Sequence, residues 1–579
     1  MKKESSSVSP SVPSLDRLTQ AWLGRLTLGL SPASLMSAYF DWLVHLGISP
    51  GKQAELAQKA VHDAKRFALY TASAIVDPAR EPYIKASPQD HRFSHNEWFR
   101  WPFNLFSQSF LSIEQWWHDA TTGIPGVSCH HEDVVSFVAR QLLDIFSPSN
   151  FPLTNPEILE ATMRGGGSNL IQGLLNFVED WGRAISGKKP VGTEAFEVGR
   201  NVAITPGKIV YRNRLIELIQ YAPTTETVYA EPILVIPAWI MKYYILDLSP
   251  HNSLVKYLVD KGHTVFMISW KNPGPEDRDV GMEDYRTLGV MDAIETVSAV
   301  VPEKKIHAVG YCIGGTLLFI AASAMARDGD DRLKTATIFA GESDFTEAGE
   351  LMVFIDESQV NYLENIMWEQ GYLDAKQMAG AFQLLRSNDL IWSHLVHDYM
   401  LGEREPMFDL MAWNADSTRM SYRMHSEYLR KLFLNNDLAE GRYEVEGRPI
   451  TISDIRVPIF AVGTQKDHVA PWRSVYKIHL FADTEVTFVL TSGGHNAGVV
   501  SEPGHPRRTY QISRKDESEK YIDPDTWQSI TAKREGSWWP AWRDWLIAHS
   551  GGRIRPPVDA SEKGYPPLED APGTYVLQE

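Results

Sequence analysis

The chain has 579 residues, 43% of them hydrophobic and 22% charged, with 56 Lys+Arg against 73 Asp+Glu and a net charge of -17. These values describe a globular protein long enough for more than one domain and exclude collagen-like, coiled-coil and disordered classes. A diffuse acidic surface argues against nucleic acid as the main partner, because phosphate binding needs concentrated positive charge; an anionic small molecule needs only a local basic mouth.

Cys129 and Cys312 are the two cysteines. That is too few for a disulfide framework or an all-cysteine zinc site, and a reduced compartment is expected. The polar, Ser- and Pro-rich N-terminus is followed by no apolar signal segment, so no secretory leader is expected. No run approaches the roughly 18 apolar residues of a membrane span. The expected location is the cytoplasm, with any surface association peripheral.

In chain order, residues 1–14 read as a flexible tail. Leu15, Leu18, Trp22, Leu23, Leu26 and Leu30 then recur at helical spacing, and residues 35–46 repeat the pattern after Pro32. Helical patterning continues to about residue 181. Within it, residues 93–117 are dense in aromatics, which suits packing between helices or an adhesive face for a partner chain or an apolar product. From about residue 200 the rhythm changes. Short apolar runs at 233–236, 264–268, 306–309, 335–339, 458–462 and 486–490 are predicted as strands, with helices at 253–261 and 291–301 between some of them. Strands alternating with helices imply a mostly parallel sheet covered on both faces. Residues 345–440 offer no core strand and read as an insertion, a natural lid. A Trp-rich helix at 538–546 and a Pro/Gly-rich tail from Gly551 close the chain. The predicted organisation is a helical domain at 15–200, followed by an α/β catalytic region at 201–579 with a cap at about 345–440.

The strongest local signal is Gly310-Tyr311-Cys312-Ile313-Gly314-Gly315, set between a predicted strand and an apolar helix. It has the form of a nucleophile elbow with Cys in place of Ser. Gly310 and Gly314 remove side chains that would collide as strand turns into helix, and the helix N-terminus favours a thiolate at Cys312. The backbone N–H of Ile313 is the expected oxyanion donor. In this architecture the order is nucleophile, acid, histidine. The loop after 458–462 offers Asp467, and the loop after 486–490 offers His495. His307 lies inside a strand, and His468 adjoins the acid, where a supporting or surface role fits better. A second oxyanion donor should follow the first parallel strand, at the backbone N–H of Trp239 or Ile240. Cys129-His130-His131-Glu132 reads as the start of a helix, since adjacent residues rarely converge on one metal ion.

With these residues in view, the chain resembles the polyhydroxyalkanoate synthases, in particular the class I poly(3-hydroxybutyrate) polymerases. The resemblance runs from about Phe93 onward. It is carried by Asn150-Phe-Pro-Leu-Thr-Asn-Pro156, Lys242-Tyr-Tyr-Ile-Leu-Asp-Leu248, the 310–315 elbow, Trp413-Asn-Ala-Asp-Ser-Thr-Arg-Met420, Lys466-Asp-His468 and Gly494-His-Asn-Ala-Gly498. The family's triad falls on Cys312, Asp467 and His495. Its best-known members carry a second cysteine where this chain has Trp239, so an accessory thiol is absent here.

The resemblance implies an α/β-hydrolase-type domain with a cap, preceded by a helical domain. It also implies (R)-3-hydroxyacyl-CoA as substrate, most simply (R)-3-hydroxybutyryl-CoA, with no metal or redox cofactor. The implied partners are the polymer granule surface and a second copy of the chain. The rival readings are a cysteine-dependent thioesterase or esterase, a class II-like synthase for medium-chain acyl groups, and a non-catalytic granule-coat protein.

Overall fold

The computed structural model describes residues 12–27, 29–77, 80–87, 90–557 and 561–579. The expected tail at 1–11 lies outside these residues. Residues 12–14, also expected as tail, already belong to the first helix, α1 (Val12–Leu26). The chain divides into two compact units, one holding residues 30–191 and 379–406 and the other the remainder.

The first unit is built on α2 (Pro32–Gly47), α3 (Pro50–Val76), α4 (Phe103–Thr121), α5 (Cys129–Ile145), α6 (Pro156–Gly165) and α7 (Ser168–Ile185). Local chemistry sets several ends. Pro32, Pro50 and Pro156 stand in first turns, where their missing N–H costs nothing. The Asn155 side chain accepts from the Glu157 and Ile158 N–H groups at 2.9 and 3.4 Å. Cys129 opens α5 beneath a Ser128 cap, and His131 turns to Asp41 at 2.6 Å.

The aromatic stretch is part buried and part exposed. Phe93, Trp98 and Phe110 are buried with Ile84 and Leu111, while Phe99, Trp101 and Trp117 are exposed. On α7, Ile171, Leu174, Leu175, Val178, Trp181 and Ile185 are exposed as well. Residues 379–406, expected in the cap, join this unit instead. Asn169 and Asn176 donate to the carbonyls of Met400 and Asp398 at 2.8 and 2.9 Å, and Arg404 pairs with Glu179 and Asp180 at 2.9 Å.

The second unit holds an 11-stranded sheet. Its strands are β1 (Gly207–Arg212), β2 (Ile216–Tyr221), β3 (Ile233–Ile236), β4 (Val265–Trp270), β5 (Ile306–Tyr311), β6 (Leu333–Phe339), β7 (Ile459–Thr464), β8 (Val486–Thr491), β9 (Thr509–Lys515), β10 (Lys533–Glu535) and β11 (Glu569–Asp570). The order across the sheet is β10-β9-β8-β7-β6-β5-β3-β4-β2-β1-β11. Strands β4, β3, β5, β6, β7 and β8 run parallel, and the flanking strands are antiparallel. The parallel strands are the six predicted apolar runs, buried on both faces and crossed by α8 (Leu254–Asp260), α9 (Asp292–Val300) and α10 (Ile313–Arg327).

Two segments correct the expected boundaries. The helix α1, expected in the helical domain, packs on α11 (Glu357–Gln370) of the cap. Thr27 Oγ1 meets Tyr362 OH at 3.0 Å, and Gln359 Nε2 donates to Gly29 O at 2.7 Å. The helical domain therefore spans 30–191 with 379–406, rather than 15–200. The C-terminal segment, expected as a tail after α12 (Trp539–Ala548), returns to the sheet as β11 beside β1. The fully buried carboxylate of Glu217 fastens it, accepting from Thr574 N, Tyr575 N and Thr574 Oγ1 at 3.0, 3.0 and 2.8 Å and from Arg212 at 2.6 Å.

Candidate active site

Strand β5 ends at Tyr311, and Cys312 caps α10 with φ +54° and ψ -126°. Few non-glycine residues adopt such a backbone, and its appearance at one cysteine between strand and helix marks a position held by its surroundings. Those surroundings are tight. A Cβ on Gly310 would lie 2.5 Å from Gly315 Cα, and one on Gly314 would strike the carbonyl of Ile236 at the end of β3. The Cys312 N–H donates to Phe339 O at 2.9 Å, which ties the turn to β6.

Asp467 lies in the loop after β7, with both carboxylate oxygens engaged. Oδ1 accepts from the Val469 and Ala470 N–H groups at 2.9 Å each, and Oδ2 accepts from Thr464 Oγ1 at 2.7 Å and His495 Nδ1 at 2.8 Å. Burial opposes its charge, but His495 and these donors hold the carboxyl below its ordinary pKa. Burial likewise opposes protonation of His495, yet Asp467 and Cys312 outweigh it and raise the imidazole well above its ordinary pKa. With Nδ1 on Asp467, Nε2 is the ring nitrogen left for Cys312. The geometry thus joins a cysteine at an elbow, an imidazole and a buried acid, the constellation for nucleophilic acyl transfer.

Ile313 heads α10, where first-turn N–H groups have no intrahelical acceptor. The loop after β3 abuts the elbow through Gly314. Thr418 grips its carbonyls, with Oγ1 on Trp239 O at 2.5 Å and N on Ile240 O at 3.2 Å. The Trp239 ring is fixed between Trp270 and Tyr285, with centroids at 5.5 and 4.5 Å.

The other histidines lie elsewhere. His307 is buried between Thr335 Oγ1 and Ser550 Oγ at 2.8 and 3.1 Å, and burial pushes its pKa down to about 3. His468 is part-exposed and faces Glu350 at 3.3 Å. Among the described residues, no cluster of three or more His, Cys, Asp or Glu side chains is arranged to hold a metal ion.

Several neighbours of the triad carry no sequence signal strong enough to name them. Tyr311 OH donates to Asn496 Oδ1 at 2.6 Å, and its ring lies 5.6 Å from that of His495, bracing the histidine loop. A small cavity opens on Cys312, walled by Thr316, Ala340, Glu342, Leu351, Tyr428 and Phe433 together with the 469–470 turn. A larger cleft, lined by Tyr70, Ile84, Phe93, Trp98 and Leu111, belongs to the helical unit and holds none of these groups.

The comparisons with known proteins agree along the chain. Residues 89–258 match the poly-beta-hydroxybutyrate polymerase (PhaC) N-terminus, residues 10–52 the poly-beta-hydroxybutyrate polymerase N terminal model, and residues 231–500 the alpha/beta hydrolase fold. A poly(3-hydroxyalkanoate) polymerase of Methylorubrum extorquens is 41% identical over 86% of this chain and 82% of its own. The poly(3-hydroxyalkanoate) polymerase subunit PhaC of Rhizobium meliloti is 35% identical over 98% of this chain and 89% of its own. That of Cupriavidus necator is 32% identical over 96% and 94%. Among solved structures, the Paleococcus ferrophilus monoacylglycerol lipase covers 58% of this chain and 99% of its own at 12% identity, with a TM-score of 0.31.

Proposed function

The chain belongs to the poly(3-hydroxyalkanoate) polymerase family and is an acyltransferase; from that premise we propose that it polymerises (R)-3-hydroxyacyl-CoA, in the first instance (R)-3-hydroxybutyryl-CoA, through a thioester on Cys312. The observation that carries this reading is the Cys312 elbow within reach of an imidazole paired to a buried carboxylate at 2.8 Å.

In the first half-reaction Cys312 passes its proton to His495 Nε2 and attacks the thioester carbonyl. The carbon–sulfur bond to CoA then breaks, and the CoA sulfur takes the proton from the imidazolium. Exchanging one thioester for another is nearly balanced, which suits cysteine. In the second half the 3-hydroxyl group of an incoming acyl unit gives its proton to His495 and its oxygen attacks the acyl carbon. An ester forms, and the Cys312 sulfur leaves with that proton. Asp467 fixes the imidazole, and the N–H groups of Ile313 and of Trp239 or Ile240 stabilise the tetrahedral oxyanion. No metal or redox cofactor enters these steps; the CoA thioester is a substrate.

The small cavity beside Cys312 favours a short acyl chain over a medium one. The exposed apolar side chains of α7 support attachment to a cytoplasmic polymer granule and pairing of two copies. No helix among the described residues is long and apolar enough to cross a membrane.

The test is incubation with (R)-3-hydroxybutyryl-CoA. Wild type is expected to release CoA with insoluble polyester, and Cys312→Ala to do neither while remaining folded. Free hydroxybutyrate in place of polymer would establish the thioesterase reading, and undiminished CoA release by Cys312→Ala would remove the cysteine from the mechanism.

A further inference from the structure

One buried acid beside Cys312 takes no part in the steps above. Strand β6 ends at Phe339, and Ala340 then turns through φ +46° with its N–H on Val462 O at 2.8 Å. Gly341 follows so close to the elbow that a Cβ there would lie 2.9 Å from Cys312 O. Thr316 Oγ1, one turn into α10, donates to Glu342 O at 2.9 Å. Together these contacts hold the Glu342 backbone against the elbow and set its side chain in the wall of the cavity that opens on Cys312.

That carboxyl is an unusual lining. Glu342 is 5% exposed, and its Oε1 is buried without a hydrogen-bond partner. Burial, the largest influence, drives its pKa well above the ordinary glutamate value; the Ser474 side chain opposes it, and the nearby charges of Asp467 and Cys312 add to it. The same burial that raises the pKa favours the protonated carboxyl, which can donate as well as accept a hydrogen bond. The cavity's other walls are largely apolar, from Leu351, Phe433, Ala340 and Ala470. Leaving a polar oxygen unpaired in such a place costs stability, and a ligand hydroxyl reaching it recovers that cost.

We propose that Glu342 is a specificity-determining residue that hydrogen-bonds the 3-hydroxyl group of the acyl chain carried on Cys312, so that the enzyme selects 3-hydroxyacyl over plain acyl thioesters. The hydroxyl on the third acyl carbon, two carbons from the thioester carbonyl, suits this small cavity with the Glu342 carboxyl in its largely apolar wall. A charged group does not fit there, and an unsubstituted acyl chain leaves Oε1 unpaired.

The inference rests on Cys312 being the acylated residue, and the test separates the two claims. Single-turnover acylation of Cys312 is followed by intact-protein and peptide mass spectrometry with (R)-3-hydroxybutyryl-CoA and with butyryl-CoA. Wild type is expected to prefer the hydroxylated substrate by tenfold or more. Glu342→Leu should lose that preference by slowing hydroxybutyryl transfer while leaving butyryl transfer within about twofold, which also shows that the variant is folded. Glu342→Gln, neutral and of the same shape, should keep most of the preference. If acylated Cys312 forms with the wild-type preference intact in both variants, or if Glu342→Gln loses both substrates equally, the assignment of Glu342 is overturned while the cysteine mechanism stands. Failure of wild-type Cys312 to be acylated at all overturns both.

Discussion

Replacing Asp467 by Asn preserves the shape of the acid loop and removes only its charge and one acceptor. In the wild type, Oδ1 and Oδ2 receive four donors between 2.7 and 2.9 Å, and the His495 contact is the one that matters for chemistry. The amide keeps its carbonyl oxygen for the Val469 and Ala470 N–H groups and turns its NH2 toward His495. The imidazole must then present a lone pair at Nδ1 and carry its proton on Nε2, the wrong tautomer to accept from Cys312. A lost charge-assisted hydrogen bond is worth about 2 kcal/mol, and the whole attraction of a unit charge about 4 Å away is at most about 4 kcal/mol at the effective dielectric of a protein, so the loss lies between the two. The expected fall in the first acylation step is therefore about 30- to 900-fold.

The sign of the pH response follows from the same contacts. Asp467 is the largest influence raising the His495 pKa against burial, so its removal lets burial dominate and the imidazole pKa drops. Imidazolium is then scarce at neutral pH. The variant should recover part of its rate as pH rises, when hydroxide takes the thiol proton instead, and its profile should shift alkaline relative to wild type. Quenched-flow measurement of CoA release across pH 6–9 reads both effects, and parallel polymer assays should show elongation depressed more than the first acylation. An Asn variant with the wild-type rate and an unshifted profile would falsify Asp467 as the partner that sets His495.

His495→Gln should block acylation of Cys312 altogether, and equal labelling of variant and wild type by mass spectrometry would argue against His495 as the base. The catalytic unit should also be acid-sensitive. Burial holds His263, His425 and His479 at pKa values of about 4 and His307 at about 3, so the unfolded chain binds more protons than the native one at any pH between these values and about 6.5. The contribution of these four histidines is at its plateau above about 6.5 and falls below it, by about 1 kcal/mol per histidine between pH 7 and 5.5. Urea midpoints from tryptophan fluorescence at those two pH values should differ accordingly; identical midpoints would refute the buried-neutral assignment. Deleting residues 568–579 removes β11 and strips Glu217 of Thr574 and Tyr575, leaving Arg212 to balance a buried carboxylate. A loss of about 3–5 kcal/mol is expected in urea unfolding, and an unchanged midpoint would mean that the C-terminal segment adds nothing to the sheet.

The parallel centre of the sheet was legible because strands buried on both faces must be apolar throughout, and each such run in the sequence became one of them. The antiparallel margins were not. Strand β9, Thr509-Tyr-Gln-Ile-Ser-Arg-Lys515, is half-exposed and mixes charge with apolar residues, and β11 is Glu569-Asp570, held by a register no local pattern encodes. Helix boundaries fared better than helix partners. The apolar stripe of α1 announces a helix, but it does not say that Gly24 and Thr27 seat it on Ile366 and Tyr362, more than three hundred residues later. The same holds for residues 379–406, whose attachment depends on side-chain amides meeting distant carbonyls.

At the site, the residues legible in the sequence are those whose chemistry imposes a local constraint. An elbow needs glycines two positions either side of Cys312, and an acid and an imidazole must stand on loops after later strands, so Cys312, Asp467 and His495 stand out by order and spacing alone. Glu342 imposes no such constraint. It follows a strand by three residues, in a chain with many acids, and nothing beside it distinguishes it from a solvated loop carboxylate. Its chemistry is conferred by what closes over it: Ala340 bending the backbone inward, Gly341 admitting the elbow, and Tyr428 and Phe433 arriving from nearly a hundred residues on to exclude water. A carboxyl whose pKa is raised by its tertiary surroundings cannot be read from the segment that carries it. A nucleophile that needs a sharp turn can.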